Sequence, residues 1–331
     1  NGGRQTWDIT QNDQNLIYFA NNSGVLEFDG TDWQLYQVSN RSVVRAVATD
    51  NNGQVYVGAY NEFGHLKTLK NGQRVYHSLS EQLPEQYKDF GEIWKIFTAE
   101  GGIIFQSFTS VFFYKDKKVK VLANNRQFHF AFYVKGVLYI SEEKKGLMKY
   151  NGQKFEPVEG GAFFSGENRV WSMNAYHSDS LLIGTQNNGL FIYHNGRITP
   201  WDSETNDFVL KNQLFKVTRI NGGYFAFGTI QDGLVVSNQK GEIIQHINKE
   251  RGLQNNTILS SFCDHEGNLW LGLDHGIDYI EINSPVTYFG EGFNIEGTGY
   301  TSAIYDAKIY LGTNQALFYN ELIKQQGQIR I

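Results

Sequence analysis

The sequence predicts an all-β fold built from repeated four-stranded units. Three observations predict it: a composition suited to strands and turns, a recurring pair of apolar strands marked by small residues, and tight turns between strands. Aromatic residues make up 15% of the 331 residues, and there are 35 Gly but only 4 Pro. Aromatic and β-branched side chains favour strands, whereas Gly and Asn favour turns. No stretch shows helical periodicity over more than two turns, and the best candidate, residues 79–89, is interrupted by Pro84.

The repeat is an apolar strand that ends in a small residue, followed four to six residues later by a second small residue that opens another apolar strand. The first small position, with Gln106 as its weakest member, falls at Ala20, Gly58, Gln106, Ser141, Gly184, Gly228, Gly272 and Gly312. The second falls at Gly24, Gly64, Ser110, Gly146, Gly189, Gly233, Gly276 and Ala316. A step of about 42 residues is typical of a repeat architecture.

Two further strands complete each unit. An apolar stretch such as Ile93-Trp94-Lys95-Ile96 precedes the first small position, and a more polar strand such as Trp33-Gln34-Leu35-Tyr36 ends the unit. Tight turns such as Asp29-Gly30 supply the positive φ that two-residue hairpins need. Four strands over about 42 residues form a β-propeller blade, and we label its strands A to D from the axis outward. Small residues suit the inner positions because blades crowd together near the axis.

Eight units predict either a seven-bladed ring plus one extra unit or a closed eight-bladed ring. We assign residues 1–290 to blades one to seven and residues 291–331 to the eighth unit, which is an eighth blade or the first blade of a second propeller. A Pro- and Gly-containing stretch at residues 284–292 forms a plausible break between them.

The overall charge and hydropathy exclude several classes of partner. The net charge is −5 and the Lys and Arg residues are spread along the chain, so nucleic acid is not expected to bind this domain. No apolar run approaches the roughly 20 residues that span a bilayer. The first residues resemble a strand rather than a signal peptide, so we expect a mature soluble piece that meets a membrane only through segments outside this sequence.

No short catalytic motif is present, and neither a metal nor a cofactor is expected. The eight His are scattered singly, and the single cysteine, Cys263, excludes a Cys-His cluster. Carboxylates at Glu62, Glu92, Glu142, Asp232 and Asp274 are the residues that could do glycosidase chemistry, yet none lies in a recognisable motif.

Ligand contacts are expected on the face where the B–C and D–A connections meet. This face is rich in amide, carboxylate and aromatic groups, which hold sugar hydroxyls and the apolar faces of sugar rings. The aromatic residues of the A strands, among them Trp94 and Trp171, are also expected to pack between blades. The candidate ligand-binding residues are Tyr60, Glu62, Trp94, His129, Trp171, Asn187, Asp232 and His275.

The residues that carry the repeat resemble a known family. Leu269-Trp270-Leu271-Gly272 with Gly276-Ile277, and the segment from Ser23 to Gly30, are similar to the two-component-regulator propeller repeat. Gln5-Thr6-Trp7-Asp8-Ile9 and Tyr18-Phe19-Ala20-Asn21-Asn22 resemble the start of the sensor region of triple-tyrosine-motif regulators. The resemblance implies a periplasmic sensor of a membrane-spanning regulator, seven-bladed rings in tandem, and an oligosaccharide from polysaccharide breakdown as ligand. It transfers no ligand residue.

Three functions remain from the sequence. The leading hypothesis is a non-enzymatic sensor domain that binds an oligosaccharide, and pairing with a second copy is compatible with such sensing. The alternatives are a propeller glycosidase or lyase and a protein-interaction scaffold.

Overall fold

The computed structural model describes residues 3–99, 101–177, 179–282, 284, 295–321, 323–325 and 328–330. The described residues form antiparallel sheets of sequence-adjacent strands and divide into two compact units. The larger unit comprises residues 1–249 and 253–283, and the smaller one residues 250–252 and 284–331. The domain boundary predicted at residues 290 and 291 lies outside the described residues.

The larger unit contains seven sheets, each of which corresponds to one predicted repeat. Sheet one contains β1 (Thr6–Gln11), β2 (Ile17–Asn21), β3 (Gly24–Phe28) and β4 (Trp33–Tyr36). Sheet two contains β5 (Val44–Thr49), β6 (Val55–Ala59), β7 (Glu62–Thr68) and β8 (Arg74–Ser78). Sheet three contains β9 (Ile93–Ala99), β10 (Gly102–Ser107), β11 (Val111–Lys115) and β12 (Lys118–Ala123). Sheet four contains β13 (Phe128–Val134), β14 (Val137–Glu142), β15 (Gly146–Tyr150) and β16 (Phe155–Pro157).

The remaining three sheets of this unit repeat the same order. Sheet five contains β17 (Val170–Ala175), β18 (Leu181–Thr185), β19 (Leu190–His194) and β20 (Arg197–Pro200). Sheet six contains β21 (Leu214–Arg219), β22 (Phe225–Thr229), β23 (Leu234–Ser237) and β24 (Ile243–Ile247). The described strands of sheet seven are β25 (Ile258–Cys263), β26 (Leu269–Leu273) and β27 (Ile277–Ile280).

The first strands of the seven sheets contact one another in a closed cycle. Strands β1, β5, β9, β13, β17, β21 and β25 each contact the next, and β25 contacts β1. One buried apolar cluster fills each interface between neighbouring sheets, and the one between sheets seven and one joins Ile9, Phe19 and Leu26 to Trp270 and Ile277. The fold is a β-propeller, as the sequence predicts, and these contacts favour closure of the ring at seven blades.

Small residues occur where neighbouring inner strands approach each other. A Cβ added at Gly58 would lie 2.4 Å from Ile93 Cγ2, and one at Gly228 would lie 2.6 Å from Ile258 Cγ2. In both cases the neighbour belongs to the inner strand of the next sheet. The predicted reason for glycine at the first small position is therefore confirmed at these two sites.

Helical segments concentrate in the D–A connections. The helix α1 (Glu204–Asn212) joins β20 to β21, and the Ser203 side chain caps it by accepting a hydrogen bond from Asn206 N at 3.2 Å. The sequence does not predict this helix, because no stretch shows helical periodicity over more than two turns. Single 3-10 turns lie at Ser80–Gln82, Glu85–Tyr87, Gly161–Phe164, Gly166–Asn168, Asn221–Gly223 and Lys249–Arg251. Among the described residues, no helix has the length and apolar character needed to cross a membrane.

The smaller unit contains the eighth repeat. Its sheet comprises β28 (Gly299–Tyr305), β29 (Lys308–Thr313) and β30 (Leu317–Glu321), and β31 (Ile323–Gln325) pairs with β32 (Gln328–Arg330). Several of its large side chains are exposed, with 75% exposure at Tyr300 and Tyr305 and 68% at Leu317.

Candidate functional site

The second residue of each inner strand lies outside the regular strand pairing. Thr6 pairs with Asn21 and Asp8 pairs with Ala20, which leaves Trp7 unpaired in a β-bulge. The same shift recurs in the other six inner strands of the larger unit. A bulge changes the direction of a side chain. The residues concerned are Trp7, Arg45, Trp94, His129 with Phe130, Trp171, Phe215 and Leu259.

Most of these residues contact one another around the axis of the larger unit. We call Trp7, Arg45, Trp94, Phe108, His129, Phe130, Trp171 and Phe215 the axial cluster. The rings of Trp7 and Trp94, from sheets one and three, lie 5.9 Å apart at an interplanar angle of 83°. The chain of contacts continues through Phe130 and Trp171 to Phe215, with ring centres 5.9, 5.4 and 5.2 Å apart. These rings therefore pack across the axis as well as between neighbouring blades.

Arg45 connects the axial cluster to its polar rim. Its guanidinium carbon lies 3.9 Å from the ring centre of Trp7 and 4.9 Å from that of Trp94. Its Nε donates a hydrogen bond to Glu92 Oε1 at 3.0 Å, and its Nη2 forms an ion pair with the same oxygen at 2.9 Å. Glu92 pairs through its backbone with Tyr60, whose side chain is 50% exposed. The predicted residue Tyr60 thus lies beside the ion pair at the edge of the cluster.

Phe108 is a member of the site that the sequence analysis did not identify. It belongs to the B–C turn of sheet three and stacks between Trp94 and His129, with ring centres 5.2 and 5.5 Å away and interplanar angles of 15° in both cases. The only sequence signal is a bulky aromatic residue in a turn next to the second small position, Ser110.

His129 is buried and neutral in this environment. Its Nδ1 donates to the carbonyl oxygen of Val170 at 3.1 Å, and its ring centre lies 5.0 Å from that of Trp171. Burial lowers the pKa of His129 to about 4, against a smaller opposing effect of the hydrogen bond to Val170. The residue therefore contributes a flat, uncharged surface at neutral pH rather than a proton donor.

A hydrogen-bonded network across sheets one and seven reaches the predicted residue His275. Trp7 Nε1 donates to Asn22 Oδ1 at 2.8 Å, Asn22 Nδ2 donates to Gln5 Oε1 at 3.1 Å, and Gln5 Nε2 donates to Asp274 Oδ1 at 2.6 Å. His275 Nδ1 lies 3.0 Å from Asp274 Oδ2, and the His275 side chain is exposed. We call the interface between sheets one and seven the seam. Side chains from both of these sheets thus hold this part of the rim in place.

The other three predicted residues lie away from the axial cluster. Glu62 is buried, and its Oε1 accepts hydrogen bonds from Tyr76, Ser78 and Ser80 at 2.9, 2.6 and 2.7 Å. Asp232 faces strand D of its own sheet, with Oδ2 3.3 Å from His246 Nε2 and Oδ1 accepting from Asn248 at 2.9 Å.

Asn187 is exposed in the B–C turn of sheet five. The neighbouring Asn188 donates from Nδ2 to Asn168 Oδ1 at 2.7 Å and so fixes this turn to the D–A connection before it. The structure therefore brings five of the eight predicted residues to the axial cluster or its rim: Tyr60, Trp94, His129, Trp171 and His275.

Each of the five candidate carboxylates already has polar partners. Glu92 pairs with Arg45, Glu142 pairs with Arg126 at 2.7 Å and Lys145 at 3.0 Å, and Asp274 bonds to Gln5 and His275. Glu62 and Asp232 are engaged as described above. Over the ranges that the structure describes, no group of three or more His, Cys, Asp or Glu is arranged to hold a metal ion.

Comparisons with known proteins agree with the repeat. The model of the two component regulator propeller family matches residues 252–275, which confirms the predicted resemblance. No curated protein matches the chain at the sequence level. The extracellular domain of the one component system BT4673 from B. thetaiotaomicron is 22% identical, with a TM-score of 0.64 over 99% of this chain and 46% of that chain. The chain therefore spans about half the length of that structure.

Two propeller structures of lyases are also similar in fold. A streptogramin B lyase structure gives a TM-score of 0.67 at 13% identity, covering 86% of this chain and 95% of that chain. A virginiamycin B lyase from Staphylococcus aureus gives a TM-score of 0.64 at 14% identity, covering 83% of this chain and 93% of that chain. Likeness at this level establishes the β-propeller fold and leaves the activity to be argued from the site.

Proposed function

We propose that this chain is the extracytoplasmic sensor domain of a membrane-spanning regulator and that it binds an oligosaccharide without catalysis. The axial cluster carries the proposal. It places half-buried aromatic rings next to amide, carboxylate and guanidinium groups on the B–C and D–A face, which is the combination that binds the apolar face and the hydroxyls of a sugar.

The polar groups around the cluster support binding over catalysis. A glycosidase needs two carboxyl groups on either side of the scissile bond, one of them free to act as a base or nucleophile. The five candidate carboxylates are instead held by cations, hydroxyl groups or amides. The repeat match at residues 252–275 and the likeness to an extracellular domain support the sensor role and the location.

We further propose that the eighth repeat is the first blade of a second propeller. The exposed Tyr300, Tyr305, Leu317 and Tyr319 of its sheet are residues of the kind that the other seven sheets bury between blades. Tandem propellers are also what the resemblance implies.

The function is tested by measuring the melting temperature of the chain against a panel of oligosaccharides, with chromatography of each mixture after incubation. One glycan class is expected to raise the melting temperature by mass action and to remain intact.

Tyr60→Ala is expected to weaken that binding about tenfold, or about 1.4 kcal/mol. Trp33→Ala, which removes an exposed aromatic on strand D of sheet one, is the matched control and should leave affinity unchanged. Glycan cleavage, or no response to any glycan, would contradict the proposal.

A further inference from the structure

Three ionisable side chains directly follow bulged residues of the inner strands. They are Asp8 in β1, Lys95 in β9 and Lys216 in β21. Lys95 Nζ lies 4.6 Å from the ring centre of Phe130 in the axial cluster. Burial and, to a smaller extent, the positive charge of Lys216 together lower the pKa of Lys95 to about 8, against the opposing effect of Asp8. All three occupy the equivalent position directly after the bulge of an inner strand, in sheets one, three and six, which places them near the axis.

This region holds more positive than negative charge. It contains two ammonium groups and one carboxylate, and Asp8 Oδ2 accepts a hydrogen bond from Val47 N at 3.3 Å. The nearby Arg45 is balanced by Glu92 and adds no net charge. Like charges held close together in a poorly solvated place repel each other, and an anion placed between them relieves that repulsion.

Two buried donors of the axial cluster also favour a ligand with oxygen acceptors. Arg45 Nη1 and Trp171 Nε1 are buried, and the described residues provide no acceptor for either atom. A buried donor without an acceptor costs on the order of 1–3 kcal/mol. Because both of these atoms are N–H donors, a ligand that binds here should offer several oxygen acceptors.

We infer that the axis of the larger unit receives one anionic oxygen group, a carboxylate or sulfate, between Lys95 and Lys216. The inference rests on the proposed function and specifies it: the oligosaccharide is an acidic glycan that carries uronic acid or sulfate ester groups. The acid group accepts hydrogen bonds from the two ammonium groups and from Arg45 Nη1 and Trp171 Nε1, while the rings of Trp7 and Trp94 contact the sugar.

Matched pairs of ligands test the inference by isothermal titration calorimetry. The panel consists of uronic acid oligosaccharides of several linkages, each paired with its carboxyl-reduced neutral counterpart. At least one acidic member is expected to bind at least about 30-fold more tightly than its neutral counterpart, which corresponds to about 2 kcal/mol. The double variant Lys95→Gln/Lys216→Gln should reduce that preference to a few-fold. Lys118→Gln/Lys120→Gln on strand β12 changes the charge equally at an outer strand and should preserve the preference.

A second readout depends on the protonation of Lys95. At pH 8 an anion that binds beside Lys95 raises its pKa, so binding should take up protons in the wild type and not in the double variant. Titrations in two buffers of different ionisation enthalpy measure this uptake. Because the double variant removes charge from two half-buried positions, its folding is checked by its melting temperature.

The outcomes separate this inference from the proposed function. If acidic and neutral oligosaccharides bind equally, the anion site is wrong and the glycan sensor stands. If no oligosaccharide binds, both are wrong. Inorganic sulfate tests a free ion as the other source of the same chemistry: stabilisation by sulfate that needs both lysines, without a response to any acidic oligosaccharide, would overturn the assignment to a glycan.

Discussion

At the scale of single residues, the unpaired second position of the inner strands determines which side chains lie at the axis. The sequence contains a signal for it. In Val44-Arg45-Ala46-Val47 and Leu214-Phe215-Lys216-Val217, the apolar ends are three residues apart, whereas a regular strand with one buried face alternates every two residues. The buried, half-buried, half-buried, buried pattern of β21 shows the same interruption. An interruption of the two-residue alternation therefore predicts a β-bulge and identifies the residue whose side chain changes direction.

The identity of the axial aromatic residues could be predicted from sequence, but their mutual contacts could not. Trp94 and Trp171 stood out as bulky residues on inner strands. The contact between Trp7 and Trp94 joins sheets one and three, and Phe108 enters from a turn. Contacts across a ring depend on the number of blades and on side-chain rotamers, neither of which the repeat alone specifies.

Glu62 is expected to stabilise the fold rather than to bind ligand. Three hydroxyl groups donate to one buried oxygen atom, so Glu62→Ala leaves them without their acceptor. We expect a loss of about 2–4 kcal/mol in the free energy of unfolding with glycan affinity unchanged. Urea unfolding and calorimetric titration measure the two quantities, and the exposed Glu81→Ala is the control. A loss of glycan affinity without a loss of stability would show instead that Glu62 takes part in ligand binding.

His129 is expected to make the protein less stable in acid. Its pKa is about 4 in the folded state against an ordinary value of 6.5, so the unfolded state binds more protons between these values. Stability should therefore fall as the pH is lowered from about 6.5 to 4, by up to about 3 kcal/mol, because one pKa unit corresponds to about 1.4 kcal/mol.

Urea unfolding of wild type and His129→Phe across this range measures the contribution of His129. The variant should lose less stability in acid than the wild type. It should still lose some, because burial also lowers the pKa of His65. Identical pH profiles for the two proteins would show that His129 is not held neutral by burial.

At the scale of elements, the strands were predictable because each has a local signal, while the helix was not. Helix α1 has nine residues, and its apolar Phe208 and Val209 are adjacent instead of spaced by three or four. Only the capping residue Ser203 indicates where it begins. Residues 79–89, by contrast, behave as expected: Pro84 separates two 3-10 turns.

The packing of neighbouring inner strands predicts a clear cost for a small substitution. Gly58→Ala places a methyl group 2.4 Å from Ile93 Cγ2, so β6 and β9 must move apart. We expect the free energy of unfolding to fall by about 1–3 kcal/mol. Gly299→Ala in β28, where an added methyl group meets nothing within 4 Å, is the control. Equal melting temperatures for wild type and Gly58→Ala would contradict the close approach of the two strands.

At the scale of the larger unit, the sequence left seven and eight blades open because a repeat count does not show which sheets meet. Contacts between sheets one and seven, whose residues are far apart in the chain, favour closure at seven blades. Phe19 of sheet one lies 5.6 Å from Trp270 of sheet seven, and Ser260 Oγ donates to Thr6 O at 3.2 Å. An eighth blade between these sheets would separate all of these groups.

A double-mutant cycle at the seam tests closure at seven. Phe19→Leu and Trp270→Leu, singly and together, should reveal a coupling energy of about 0.5–1.5 kcal/mol, since the two rings are in contact. Phe19→Leu combined with Trp201→Leu, at the residue that directly follows β20 of sheet five, is the control and should be additive. Additive effects for Phe19 and Trp270 would indicate that sheets one and seven do not meet.

The most direct test of the account is an amide hydrogen-exchange footprint of the chain with its bound oligosaccharide. Binding at the axial cluster predicts slower exchange in the B–C and D–A segments, including residues 107–110 around Phe108 and residues 91–94 around Glu92. The tight turns of the opposite face, such as residues 29–32 and 71–73, should exchange unchanged. Protection confined to those turns or to the outer strands, with none around the axial cluster, would contradict the central claim that this end of the propeller binds the ligand.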